Sequence, residues 1–118
     1  MDVNILKRNE IDVDGAIQIL GDMDMYNETL KDFLDLSTDR LNKIQKYRDD
    51  GDMENYAIEV HAMKGDSKYL GFTKLAELSL NHQLKSEAGD IDYVNENYDD
   101  LINEANRIIG VCTDYLNS

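Results

Sequence analysis

The strongest constraint on this chain is where its breaks fall. Proline is absent from all 118 residues, so no residue deletes a backbone donor or clashes with the preceding turn of a helix. The remaining punctuation is sparse and evenly spaced: Gly21-Asp22, Asp50-Gly51-Asp52, Leu70-Gly71 and Ala88-Gly89-Asp90. These breaks divide the chain into a short first segment and four long ones. Within the long segments apolar residues recur at steps of three and four, as on one face of a helix. Tyr26, Leu30, Phe33, Leu34, Ser37, Leu41 and Ile44 mark the second segment, and Tyr56, Ala57, Val60, Met63, Ser67 and Leu70 the third. Leu75, Leu78, Ser79 and His82 mark the fourth. The last carries the cleanest stripe, from Val94 through Tyr98, Leu101, Ile108 and Cys112 to Leu116. Gly110 inside it costs about 1 kcal/mol against Ala, which packing can absorb. No segment alternates with period two, so no strand is expected.

The spacing therefore predicts helices over about 14–20, 24–49, 52–70, 72–88 and 91–116, with Asp24, Asp52 and Asp90 where N-cap acceptors are wanted. The expected fold is all-α: an antiparallel four-helix bundle with a short additional N-terminal helix, forming one domain over 1–118. Leu80 and Leu84 lie off the Leu75/Leu78 face. They either pack against the short helix or stay exposed.

Charge and composition narrow the function. Twelve Lys and Arg against 25 Asp and Glu give a formal charge of −13, which argues against nucleic acid or an anionic membrane as partner. No apolar run approaches the roughly 20 residues of a membrane span. Met1-Asp2-Val3-Asn4 does not open a secretory signal, so a cytoplasmic location is expected. The single cysteine, Cys112, allows no internal disulfide and sits on the last apolar stripe as a small core residue. Di-iron bundles need Glu-x-x-His, but Ile58 and Ser79 stand three residues before the two histidines. No glycine-rich phosphate loop or carboxylate cluster is present. No metal, no cofactor and no enzyme activity are expected.

His61 is the residue with chemistry to offer. It lies roughly 120° from the centre of its helix's apolar arc, at about 100° per residue, and should face solvent at least in part. Lys64, Gly65 and Lys68 follow at i+3, i+4 and i+7 on the same stripe. An exposed helical histidine is commonly an ordinary surface residue, but three features argue for more. Gly65 is costly in an exposed helix, and one use for it is to let another surface approach the histidine. Between His61 and Lys85, Lys64, Lys68, Lys74 and Lys85 outnumber Asp66 and Glu77, so the stretch is net +2 while the rest of the chain is −15. Such an island suits a transferable anionic group. Gln83 lies 22 residues after His61, and a hairpin turning at Leu70-Gly71 returns it to the level of His61. Its amide can accept from Nδ1–H and leave Nε2 as the nucleophile.

At these residues the chain resembles the histidine-containing phosphotransfer (HPt) domain of multistep two-component signalling. The run from His61 through Lys64, Gly65, Ser67 and Gly71 to Leu75 follows the family pattern His-x-Leu-Lys-Gly-Ser-Ser-x-x-x-Gly-x-x-x-Leu, with Met63 at the Leu position. The likeness extends over about residues 12–116. It implies a four-helix bundle whose histidine takes a phosphoryl group from an aspartyl phosphate and passes it to another aspartate. Under the resemblance His61 is the phosphoacceptor, Lys64 neutralises phosphoryl oxygens, and Gln83 hydrogen-bonds the imidazole. Gly65 gives a partner room and Gly71 allows the tight turn. Ser67, Lys68 and Tyr69 are further binding positions, and exposed apolar residues such as Tyr69 and Leu70 complete a docking surface. The implied partners are a response-regulator receiver domain, a hybrid sensor histidine kinase, or both, met by a monomer. Met1 and the full set of helices favour a free-standing carrier. Two departures stand out: Asp66 where Ser or Ala is common, and His82 where a core Leu or Ile is usual. A rival reading keeps the fold and makes the chain a phosphorylation-independent docking or inhibitor module for a kinase or receiver.

Overall fold

The computed structural model describes residues 1–118. Six helices follow one another: α1 (Val3–Lys7), α2 (Val13–Leu20), α3 (Met23–Asp49), α4 (Met53–Leu70), α5 (Thr73–Glu87) and α6 (Ile91–Asn117). No strand is present. The four long helices lie along the sequence-expected segments within a residue or two. Pairs α3/α4, α4/α5, α5/α6 and α3/α6 all pack together, which closes them into an all-α bundle. The molecule measures 40 × 24 × 21 Å, and its long axis matches a 27-residue helix rising about 1.5 Å per residue.

Aspartate caps start five of the six helices. The side chains of Asp2, Asp12, Asp22, Asp52 and Asp90 each accept a backbone N–H from the first turn. Asp24, the cap the spacing predicts for the second segment, is instead inside the first turn of α3, and Asp22 is the cap. Gly21 ends α2 and lets α3 begin at once.

α1 has no counterpart among the expected helices. Five residues are too few to show a period, and the break after it falls at Glu10, a non-glycine residue at φ 66°. Its single fully buried residue, Leu6, joins the core, and the helix packs on α6.

One continuous cluster of 22 buried residues fills the bundle. Tyr26 from α3 belongs to it, and its hydroxyl donates to the Leu70 carbonyl at 2.8 Å, satisfying an orphan acceptor at the end of α4. The turn that follows depends on Gly71, at φ 80°. A Cβ there would lie 2.3 Å from the Asp12 carbonyl oxygen. The Asp12 amide in turn donates to the Gly71 carbonyl at 2.9 Å. The same glycine thus reverses the chain and seats the start of α2 on the α4–α5 turn.

Candidate functional site

α4 and α5 form the most extensive helix pair in the molecule, and their hairpin sets the level of the two site residues. His61 projects from the exposed side of α4, and Gln83 comes back to it on α5. Nδ1 of His61 lies 3.0 Å from Oε1 of Gln83. An amide oxygen accepts, so Nδ1 carries the proton and Nε2 is left with its lone pair. Lys64 stands one turn further along α4, half-buried, and Lys68 a turn beyond it is exposed. Gly65 lies between them in open space: a Cβ there would meet nothing within 4 Å.

Other expected binding residues fall elsewhere. Tyr69 is exposed at the far end of α4. Gly71 is buried in the turn. Ser67 is fully buried, its hydroxyl has no hydrogen-bond partner, and it lies beneath the groove between α2, α4 and α5 rather than on the surface. Leu70, expected at the docking surface, is also fully buried; it is the last residue of α4 and plugs the core beneath the turn.

The expected positive island divides in three dimensions. Lys64 and Lys68 line a groove between α2, α4 and α5, together with Ile19 and Leu80. Lys74 instead lines a cleft with Asp100 and Arg107 of α6, and the Lys85 ammonium sits 5.3 Å from the Tyr93 ring centroid. On the other flank of His61 a second groove holds Glu54, Ile58, Gln83 and Glu87. Two carboxylates therefore share the imidazole's surroundings, both outside the stretch whose charge is net positive. Gln83 Nε2 donates to Glu87 Oε1 at 2.6 Å. The i,i+4 spacing of Gln83 and Glu87 was the available sequence signal.

Asp66, the first departure from the family pattern, turns toward α3, where its carboxylate accepts from the Arg40 guanidinium at 2.7 Å. Its charge is paired away from the imidazole. His82, the second, is buried at 1% exposure. Its Nε2 lies 3.1 Å from the Asn97 carbonyl oxygen, and its Nδ1 2.8 Å from the Tyr56 hydroxyl. A carbonyl only accepts, so Nε2 bears the proton and Nδ1 takes the tyrosine O–H. Burial holds its pKa below the ordinary imidazole value. Cys112 is buried as expected, and burial pushes its thiol up to about 12, far from thiolate chemistry.

Exposed apolar side chains surround this region. Ile19 of α2, Ile58 of α4, and Leu80 and Leu84 of α5 all face solvent. Leu80 takes a middle course between the two expected fates: it lines the α2 groove and is still 38% exposed. Ile58, one turn before His61, and Ile19 are not singled out by the periodicity; at about 100° per residue Ile58 falls on the side of α4 opposite its apolar arc.

The four long helices thus present one exposed, hydrogen-bonded imidazole at the α4/α5 hairpin. The model of the Hpt domain family matches residues 28–110, well over half of the chain and including His61, Lys64, Gly65 and Gln83. The chain belongs to the Hpt domain family. Members work with receiver domains and kinases in phosphorelays, as carriers rather than catalysts. Neither the curated proteins nor the solved structures provide a match to the chain. No helix is long and apolar enough to cross a membrane.

Proposed function

We propose that this chain is a phosphorelay carrier that takes a phosphoryl group onto Nε2 of His61 and passes it to an aspartate. The observation that carries the reading is the 3.0 Å contact between His61 Nδ1 and Gln83 Oε1 on an exposed helix face. It leaves the other nitrogen bare and pointing outward, which is what in-line attack on phosphorus requires. A partner receiver domain brings the aspartyl phosphate and the Mg²⁺ that offsets its charge. Lys64 adds positive charge one turn from the imidazole, and the open space at Gly65 admits the partner's loops. Ile19, Ile58, Leu80 and Leu84 supply apolar contact around the histidine. Both ends of the transfer are high-energy phosphoryl bonds, so it runs in either direction. We assign residues 1–118 to one carrier domain, acting as a monomer in the cytoplasm.

The test is a transfer assay. Receiver domains are charged with a small phosphodonor and Mg²⁺, mixed with this protein, and the product is examined for acid-labile, alkali-stable label. Label that disappears in His61→Gln is the expected result. Full labelling of His61→Gln sinks the assignment. A chain that binds a receiver tightly, takes no label and ignores His61→Ala is instead the docking or inhibitor module.

A further inference from the structure

Gln83 touches two side chains, and the second decides how it meets the first. Its amide has one donating end and one accepting end of nearly the same shape, so either end fits against an imidazole nitrogen. Glu87 removes that freedom. A carboxylate accepts and does not donate, so it claims the amide NH2, as in the 2.6 Å contact between Nε2 and Glu87 Oε1. Only the carbonyl oxygen is then left for His61, and it requires a proton on Nδ1. Glu87 sits one turn after Gln83 on α5, and both line the groove that holds His61. The Ser86 hydroxyl, in the same groove, donates to the Gln83 backbone carbonyl and leaves the amide free, and the Glu54 carboxylate that also lines the groove makes no hydrogen bond to it.

We propose that Glu87 is a positioning residue that, acting through Gln83, sets the tautomer of His61 and keeps Nε2 unprotonated. The inference deepens the carrier reading above and rests on it for its use. In the transfer, the Nε2 lone pair forms the N–P bond as the bond between phosphorus and the aspartyl oxygen breaks. The electron pair leaves with the aspartate as a carboxylate. Nδ1 keeps its proton, so the ring becomes positive as the bond forms. The Gln83 carbonyl, with the Glu87 carboxylate behind it, faces that developing charge.

The geometry makes a reversal possible. In Glu87→Lys an ammonium, which only donates, claims the amide oxygen and turns the NH2 toward His61. Nδ1 must then accept, and the proton moves to Nε2. Glu87→Asp keeps a carboxylate, which only accepts, on the same turn of α5 and rescues the arrangement. Nitrogen-15 NMR of the full chain at about pH 8 reads the two ring nitrogens of His61 directly. Phosphorylation by phosphoramidate, a small donor that needs no docking, reads the chemistry separately from any partner contact.

The expected result is Nδ1–H in the unaltered chain and in Glu87→Asp, with a shift toward Nε2–H in Glu87→Lys. The phosphoramidate rate falls about tenfold or more in Glu87→Lys alone, about 1.4 kcal/mol in barrier. An Nε2–H histidine in the unaltered chain, or one tautomer common to all three proteins, overturns the proposal. If the tautomers shift as expected but no receiver ever labels His61, the assignment of Glu87 stands and the carrier reading falls. The substitutions are at an exposed position on α5, and backbone amide spectra verify that each variant is folded.

Discussion

Two adjacent residues on α5 show how one residue's direction decides its chemistry. His82 points into the bundle and Gln83 points out, and each fixes a histidine's tautomer: His82 its own, with Nε2 protonated, and Gln83 that of His61, with Nδ1 protonated. The buried one makes stability depend on pH. Its folded pKa lies below the ordinary 6.5 because burial penalises the charged ring, so the unfolded chain binds the proton first. His82's contribution is therefore complete above about pH 6.5 and is lost as pH falls below it. Urea denaturation at pH 7.5 and 5.5 should show this loss, and His82→Leu should flatten the slope. At neutral pH that variant should cost about 1–3 kcal/mol, because the Tyr56 hydroxyl and Asn97 carbonyl lose their partner. Two glycines give the opposite pair of outcomes. Gly65→Ala meets no atom and should stabilise the helix by about 0.5–1 kcal/mol while a bulky Gly65→Leu slows transfer from a receiver. Gly71→Ala forces a Cβ against the Asp12 carbonyl at positive φ and should destabilise by about 2 kcal/mol or more in the same denaturation series.

Among the elements, the α4/α5 hairpin positions the site, and the two N-terminal helices brace it. α2 is tied to the turn of that hairpin by the reciprocal fit of Asp12 and Gly71. α1 closes the structure against α6 through Leu6, which has no exposed surface. Leu6→Ala should cost about 2–4 kcal/mol in urea denaturation while the far-UV circular dichroism stays close to that of the parent, because the four long helices keep their own contacts. A cost below about 1 kcal/mol would mean that α1 is loosely attached. The Arg40–Asp66 pair joins α3 to α4. It explains how a carboxylate is tolerated two residues from Lys68 and five from His61 without adding negative charge to the site.

For the whole molecule, the surface around His61 is mixed rather than basic. Lysines flank one side, carboxylates the other, and exposed Ile19, Ile58, Leu80 and Leu84 lie among them. Partner binding should therefore draw on apolar contact, within the small interface suited to a carrier that meets donor and acceptor in turn. Ile58→Asp or Leu84→Asp should weaken receiver binding about tenfold or more in calorimetry, with phosphoramidate labelling of His61 unchanged. Equal loss in both assays would place the effect in folding instead. The all-α class, the four long helices and the return of Gln83 to the level of His61 are legible in the residues alone. Those follow from periods and chain lengths, which are local and additive. The sequence did not disclose α1, the cap at Asp22 or the split of the lysines between two faces, and it left Ser67 and Leu70 both on the apolar stripe and among the binding positions. These emerge from packing, because they depend on which helix lies opposite which. The same is true of Glu87: its hydrogen bond lies within one helix, but its use appears only when another helix brings the imidazole to the amide between them.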